Sequence, residues 1–151
     1  MRVSERQQAL VFAVVLLTAI AGLWAAVKAM RPSCETATIA ASLEVRGDGW
    51  TAGPEARTIA GCTVWDLLAD WSAAGGTSVE VQQYGEPLDA KMVVAIGPDR
   101  NGDAGALGPH LFWQFWVDCT YASAGADLTP LHGGEHVTWV FAPEHWEGSV
   151  C

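Results

Sequence analysis

From Ala9 to Val27 the chain carries no charged residue. About 19 apolar-rich residues at 1.5 Å rise nearly span a bilayer core. Arg2 and Arg6 precede this run, and Lys28 and Arg31 follow it, so flanking charge does not set an orientation. The run exceeds the usual 7–15-residue core of a signal peptide, which favours a retained transmembrane helix. Val27-Lys28-Ala29 offers a weak cleavage site, so a signal sequence stays open as the alternative.

Beyond the anchor the pattern changes to short alternating runs. Thr38–Val45 reads as a strand, and "RGDGWTAGPEA" reads as a loop punctuated by Gly47, Gly49, Gly53 and Pro54. "RTIAG" follows as a short second strand. Thr63–Trp71 is the one clear soluble helix: Val64, Leu67, Leu68 and Trp71 fall at i, i+3, i+4 and i+7. Thr63 and Asp66 form a capping-box pattern, with Asp in place of Glu, and Gly75-Gly76 stops the helix. "SVEVQQY" alternates, and "KMVVAIG" is continuously apolar; both read as strands. Residues 97–109 form a long Gly/Pro/Asp loop. Leu111–Val117 is an aromatic strand, and His136–Phe141 closes the fold after Gly133-Gly134. One helix among several strands, without strand–helix alternation, makes the class α+β.

The aromatic strand sets a packing problem. Its side chains alternate between faces, with Trp113 and Phe115 on one and Phe112 and Trp116 on the other. One helix covers one face only. The second needs the 97–110 loop, a partner protein or a flat ligand. An uncovered aromatic face is an interaction site, and Trp65, off the helix stripe, extends it. The candidate ligand-contacting set is therefore Trp65, Phe112, Gln114, Trp116, Asp118 and Tyr121.

Charge and cysteine content narrow the classes. After residue 31, four basic residues (Arg46, Arg57, Lys91, Arg100) face sixteen acidic ones. That balance argues against nucleic acid and against docking on anionic lipid. Cys34, Cys62, Cys119 and Cys151 all follow the apolar run. An even set without C-x-x-C spacing points to two disulfides in an exported domain. Four cysteines allow three connectivities, and the spacing does not choose among them.

Metal and catalytic chemistry find little footing. Asp99, Asn101 and Asp103 alternate as in a calcium loop, but Ala104 and His110 stand where Gly and Glu belong. His132, Glu135, His136 and His145 lack diagnostic metal spacing. No nucleophile elbow, P-loop or dinucleotide fingerprint occurs. No catalytic residue and no metal ligand is assigned, and the chain is not read as an enzyme.

"TVWDLLADW" and "FWQFWVDCTYASAGADLTPLHGGEHVTWVF" together resemble the transcobalamin-like C-terminal domain family. Thr63, Val64, Asp66 and Leu68 match its helix start. Trp113, Phe115 and Val117 match its Trp-x-Tyr-x-Val strand, with Phe for Tyr. Gly125, Ala126, Leu131, Gly134, Glu135, Val137, Trp139 and Phe141 match the remainder. Asp118 and Cys119 replace the family's Asn-Gly, a favoured hairpin turn, which predicts a different turn pinned by a disulfide at Cys119.

The resemblance covers residues 38–142 and implies a small β-grasp-like domain with one helix on a mixed sheet. In vitamin B12 carriers this domain covers one face of the corrin, while a separate helical barrel holds the other. This chain has no room for that barrel, so the resemblance implies a membrane-tethered half-site for cobalamin or a related corrinoid, similar to stand-alone microbial members. The alternative is a structural protein–protein interaction domain at the cell surface. The organisation expected is a tail (1–8), an anchor (9–30), a linker (31–37), the domain (38–142) on the extracytoplasmic side and a C-terminal tail (143–151).

Overall fold

The computed structural model describes residues 5–29, 32–34, 38–75, 77–85, 89–104, 108–144, 146, 148, 150 and 151. It divides into an N-terminal helical unit and a second unit spanning 32–85 and 89–151.

Helix α1 (Glu5–Ala29) contains a span of 20 residues, Gln7–Ala26, with mean hydropathy 2.4 and no buried residue. Leu10, Phe12, Leu17 and Leu23 all lie exposed on it. Thr18 is its polar interruption, and its hydroxyl donates back to the Val14 and Val15 carbonyls at 3.0 and 2.9 Å. That local bond removes the cost of a bare hydroxyl in an apolar medium. Near the C-terminal end, Lys28 Nζ sits 4.0 Å above the Trp24 ring.

The second unit is α+β. Its five-stranded sheet has the order β2-β1-β8-β6-β7, built from β1 (Ile39–Arg46), β2 (Thr51–Ile59), β6 (Leu111–Val117), β7 (Thr120–Tyr121) and β8 (His136–Pro143). β1 and β8 pair in parallel and every other neighbour is antiparallel, so the sheet is mixed. β3 (Val79–Gln83), β4 (Lys91–Ile96) and β5 (Asp99–Arg100) form a second, three-stranded sheet, with β4 and β5 beside β6 of the first. Helix α2 (Val64–Gly75) lies beside β2 and β1.

The α2 stripe is buried as its spacing predicts: Val64, Leu67 and Leu68 are fully enclosed, and Trp71 nearly so. Asp66 Oδ2 accepts from the N–H groups of Cys62 and Thr63, while Asp66 N–H donates to Thr63 Oγ1. The capping box thus forms with the shorter acid. Gly61, at φ +120°, allows this approach: a Cβ there would stand 2.5 Å from the Asp66 carboxyl.

β2 corrects the loop expected from "RGDGWTAGPEA". Thr51–Ile59 is a continuous strand, with a register shift in its partner between Leu43 and Val45. Gly53 sits opposite this shift at φ +89°, where a Cβ would come 2.4 Å from the Leu43 carbonyl oxygen. Gly and Pro here mark a distorted edge strand, not a break.

The main core lies between α2, the inner face of the five-stranded sheet and β4. Trp113 stacks near Phe141 (5.0 Å between centroids) and Phe115 near Trp139 (4.8 Å). Two disulfides close the unit: Cys34–Cys62 and Cys119–Cys151. Neither flank is a free appendage, because the first bridge ties residue 34 to the helix start and the second ties the chain end to the β6–β7 turn.

Candidate functional site

The outer face of β6 is covered, and by a segment other than the one expected. Trp116 is only 5% exposed and forms a small cluster with Val140, Ala142 and Val150, against which Trp146 packs. Trp146 meets the Trp116 ring edge-on at 5.5 Å, and Tyr121 does so at 5.4 Å. The described part of the 97–110 loop instead follows the inner side. Trp113 Nε1–H donates to the Asp99 carbonyl at 3.0 Å, and Trp113 N–H donates to Asn101 Oδ1 at 2.8 Å. The C-terminal tail, pinned by Cys119–Cys151, takes the place expected for that loop, a partner or a ligand.

The remaining candidates scatter. Phe112 and Gln114 are half-buried on the outer face, and Gln114 Nε2–H donates to the Ala142 and Pro143 carbonyls. Trp65 lies on the other side of the sheet, packed against the main core, with Lys91 Nζ 4.8 Å above its ring. Tyr121 is 54% exposed. The structure brings Trp116 and Tyr121 together and leaves Trp65 apart from them.

Asp118 and Cys119 build the turn between β6 and β7. Both have positive φ, 45° and 69°, and Val117 pairs directly with Thr120. That is the two-residue hairpin geometry Asn-Gly favours, so the expectation of a different turn is corrected. Asp tolerates the left-handed region, and its Oδ1 accepts the His136 N–H at 2.8 Å. The expected disulfide at Cys119 is present.

The residues of the calcium-like loop are engaged internally. Asp99 Oδ2 accepts from Trp50 Nε1 at 2.6 Å and from Asp48 N at 3.0 Å, and Asn101 bridges Val93 and Trp113. Of the "HGGEH" residues, Glu135 turns its carboxylate onto the N–H groups of His132 and Gly133, at 2.6 and 2.7 Å. Burial pushes the Glu135 carboxyl up, but these N–H groups outweigh it and hold it below the usual range. His145 lies outside the described residues. Among the described residues no three metal-ligating side chains converge.

Sequence reasoning missed a polar line on the outer face. Ser42 Oγ lies 2.7 Å from His136 Nδ1, and His136 Nε2 lies 3.5 Å from Glu44 Oε2. Arg46 grips Glu44 through two hydrogen bonds, at 2.8 and 3.0 Å, and this holds the Glu44 carboxyl below its usual range against its burial. Ser42 N–H is committed to the Glu135 carbonyl at 2.9 Å, so it supplies no oxyanion donor beside the hydroxyl. The parallel register that opposes Ser42 and His136 is invisible in strand alternation.

A second missed feature is a cleft of about 220 Å³ between β4 and β6, reaching Trp139 of β8. Trp113, Phe115 and Trp139 form its aromatic wall, Gly125 its rim, and the partly exposed Tyr84 and Met92 its mouth. Tyr84 Oη donates to Met92 Sδ at 3.6 Å. Trp139 Nε1 and Asp127 Oδ1 are buried without a hydrogen-bond partner among the described residues.

No protein-family model matches the chain, and no curated protein matches it.

Proposed function

We propose that this chain is a membrane-tethered, extracytoplasmic binding module whose second unit is a β-grasp-like domain. The observation that carries it is a pairing within one chain: an apolar span of 20 residues with none buried, followed by two disulfides. The span suits a bilayer, and the bridges suit an oxidising compartment. The mixed sheet with parallel β1 and β8 and the helix on its inner side support the β-grasp reading.

The family resemblance extends the proposal to a corrinoid as ligand. The geometry limits where it would rest. The Trp116 face is occupied by Trp146 and Val150. The 220 Å³ cleft falls below the roughly 300–1,000 Å³ of pockets for drug-sized ligands, and a corrin is larger still. A corrinoid would therefore lie on an open surface, beside Tyr121 and Asp118 or over the mouth at Tyr84 and Met92. The alternative, a protein-docking role without a small ligand, draws on Val81, Tyr84 and Met92, all more than a third exposed on β3, β4 and their connection.

Thiol labelling with a maleimide polymer in intact cells tests the tethered, oxidised state. All four cysteines should resist labelling until a reductant is added, and a C-terminal epitope should be reached from outside. Thiols that label without reduction, or an epitope shielded by the membrane, would overturn the placement. Cobalamin and cobinamide titrations, followed by tryptophan quenching of the full chain, test the ligand class: saturable quenching supports it, and its absence from folded protein removes it.

A further inference from the structure

One sheet ends on β2 and β7 and the other on β3 and β5. An edge strand offers unpaired N–H and C=O groups to another strand. β7 and β5 are two residues each. β2 carries Gly53, Pro54 and a register shift beside the charged Glu55 and Arg57, features that blunt an edge. β3 is five residues long, without Gly or Pro, and the extra residue in its pairing lies on the β4 side. Its one charged residue, Glu80, is paired with Arg100. Glu80, Val81, Gln82 and Gln83 are all exposed, Val81 at 38%. Gly97 N–H donates to the Ser78 carbonyl and Tyr84 N–H to the Ala90 carbonyl, at 2.8 and 2.9 Å. By antiparallel alternation, Glu80 and Gln82 also bond toward β4, while Val79, Val81 and Gln83 turn their N–H and C=O groups outward. These outward groups have no partner among the described residues.

We propose that β3 docks the β3 of a second copy of this chain, the two strands running antiparallel about a two-fold axis at Val81. In that register Val81 exchanges both backbone hydrogen bonds with Val81 of the second copy, and Val79 does so with its Gln83. The side chains favour a copy as occupant. Valine stands beside valine at the axis, a β-branched cross-strand pair. Glu80 stands opposite Gln82 of the second copy. The Gln82 amide has no partner among the described residues, and it donates to that carboxylate on both sides of the axis. An axis at Glu80 would set like charges directly opposite. An axis at Gln82 would give up both the valine pair and the Glu80–Gln82 bonds. The apolar span of 20 residues holds both copies in one bilayer plane, which raises their effective concentration. The proposal deepens the protein-docking reading above, and rests on it, by naming the partner.

The test uses the full chain in membranes as two differently tagged forms, Glu80→Cys and Gln82→Cys. Loss of the Glu80–Arg100 pair costs little, because both side chains are more than half exposed. Oxidation with copper phenanthroline should join the two forms into a reductant-sensitive dimer, since residues opposed at such a position lie about 4.5 Å apart between Cα atoms. Either form should join to itself at least about fivefold less, its cysteines lying beyond the reach of a disulfide. Val81→Lys in both forms should lower the yield about fivefold by opposing like charges, and Val81→Lys in one form with Val81→Glu in the other should restore it. Equal joining in every combination would mean random collision and overturn the register. No joining, or joining indifferent to Val81→Lys, would overturn the self-docking edge. Light scattering of the chain in detergent, with no added cysteine, should give a dimer that Val81→Lys turns into a monomer; a monomer in both would overturn the proposal even if a cysteine form misfolds. A crosslink to a protein of another mass would replace the second copy by a foreign strand and leave the docking reading standing. Protection of the four native cysteines, which reads the tethered state, is independent of all these outcomes.

Discussion

Strand β6 buries aromatic rings on both of its faces, but the two faces are held by different means. On the inner face Trp113 and Phe115 meet Phe141, Trp139, Trp50 and the α2 stripe in one large cluster drawn from most of the unit. On the outer face Trp116 rests in a cluster of four buried residues, and its cover is the end of the chain. The inner face is held by many contacts made by separate elements. The outer face depends on a short segment held by the Cys119–Cys151 bridge and by a hydrogen bond from Arg46 Nη2 to the Val150 carbonyl at 3.3 Å.

The largest effect should come from the inner face. Trp113→Ala removes a ring from the core and the bond to the Asp99 carbonyl, and should cost about 3–5 kcal/mol in urea unfolding. A loss under about 1 kcal/mol would end the view that this face organises the fold. On the outer face, Cys119→Ser with Cys151→Ser opens a loop of sequence separation 32 and should cost about 3 kcal/mol. Its distinctive sign is a red-shifted Trp116 emission while the inner core persists; unchanged emission would show that the tail stays down without its bond.

Glu135 shapes the turn that feeds β8, the strand shared by both faces. Its carboxyl is depressed in the folded state, so its stabilisation is fully present above the ordinary value of about 4.5. It is lost as pH falls through the lower folded-state value. Glu135→Gln should cost about 1 kcal/mol at pH 7 and flatten the acid limb of the stability–pH curve. A variant with the wild-type acid limb would show that the turn draws nothing from this charge. The smallest effect sharpens the turn itself. In a Cys151→Ser background, Cys119→Gly should be more stable than Cys119→Ser by about 1 kcal/mol, because glycine carries no penalty at φ 69°. Equal stabilities would mean the backbone relaxes once the bridge is gone.

Much of this arrangement was legible in the chain. The α2 stripe, its cap, the limits of the aromatic strand and the alternation of Val137, Trp139 and Phe141 follow from periodicity, because burial of one face writes itself into local spacing. The outer cover did not. Trp146 and Val150 belong to no periodic run, and they reach Trp116 only through a disulfide whose pairing is a property of three-dimensional closeness. β2 was obscured by Gly53 and Pro54, which signal a turn locally and a distorted edge strand only once Leu43 lies alongside. Of the candidate site, strand alternation and the helix stripe group Trp65, Phe112, Gln114, Trp116, Asp118 and Tyr121 as one surface, and the fold distributes them over different environments. The unmet atoms of Trp139 and Asp127 left no trace, since an unfilled hydrogen bond has no sequence pattern.

The parallel pairing of β1 with β8 also sets a timetable. Ser42 and His136 are neighbours in the sheet but 94 residues apart in the chain. A polypeptide synthesised N-terminus first delivers the β1–β2 hairpin early, with one edge open and its apolar face bare. Contacts of such long sequence separation form slowly. The interval before β8 arrives is when this protein most needs shielding from its own kind.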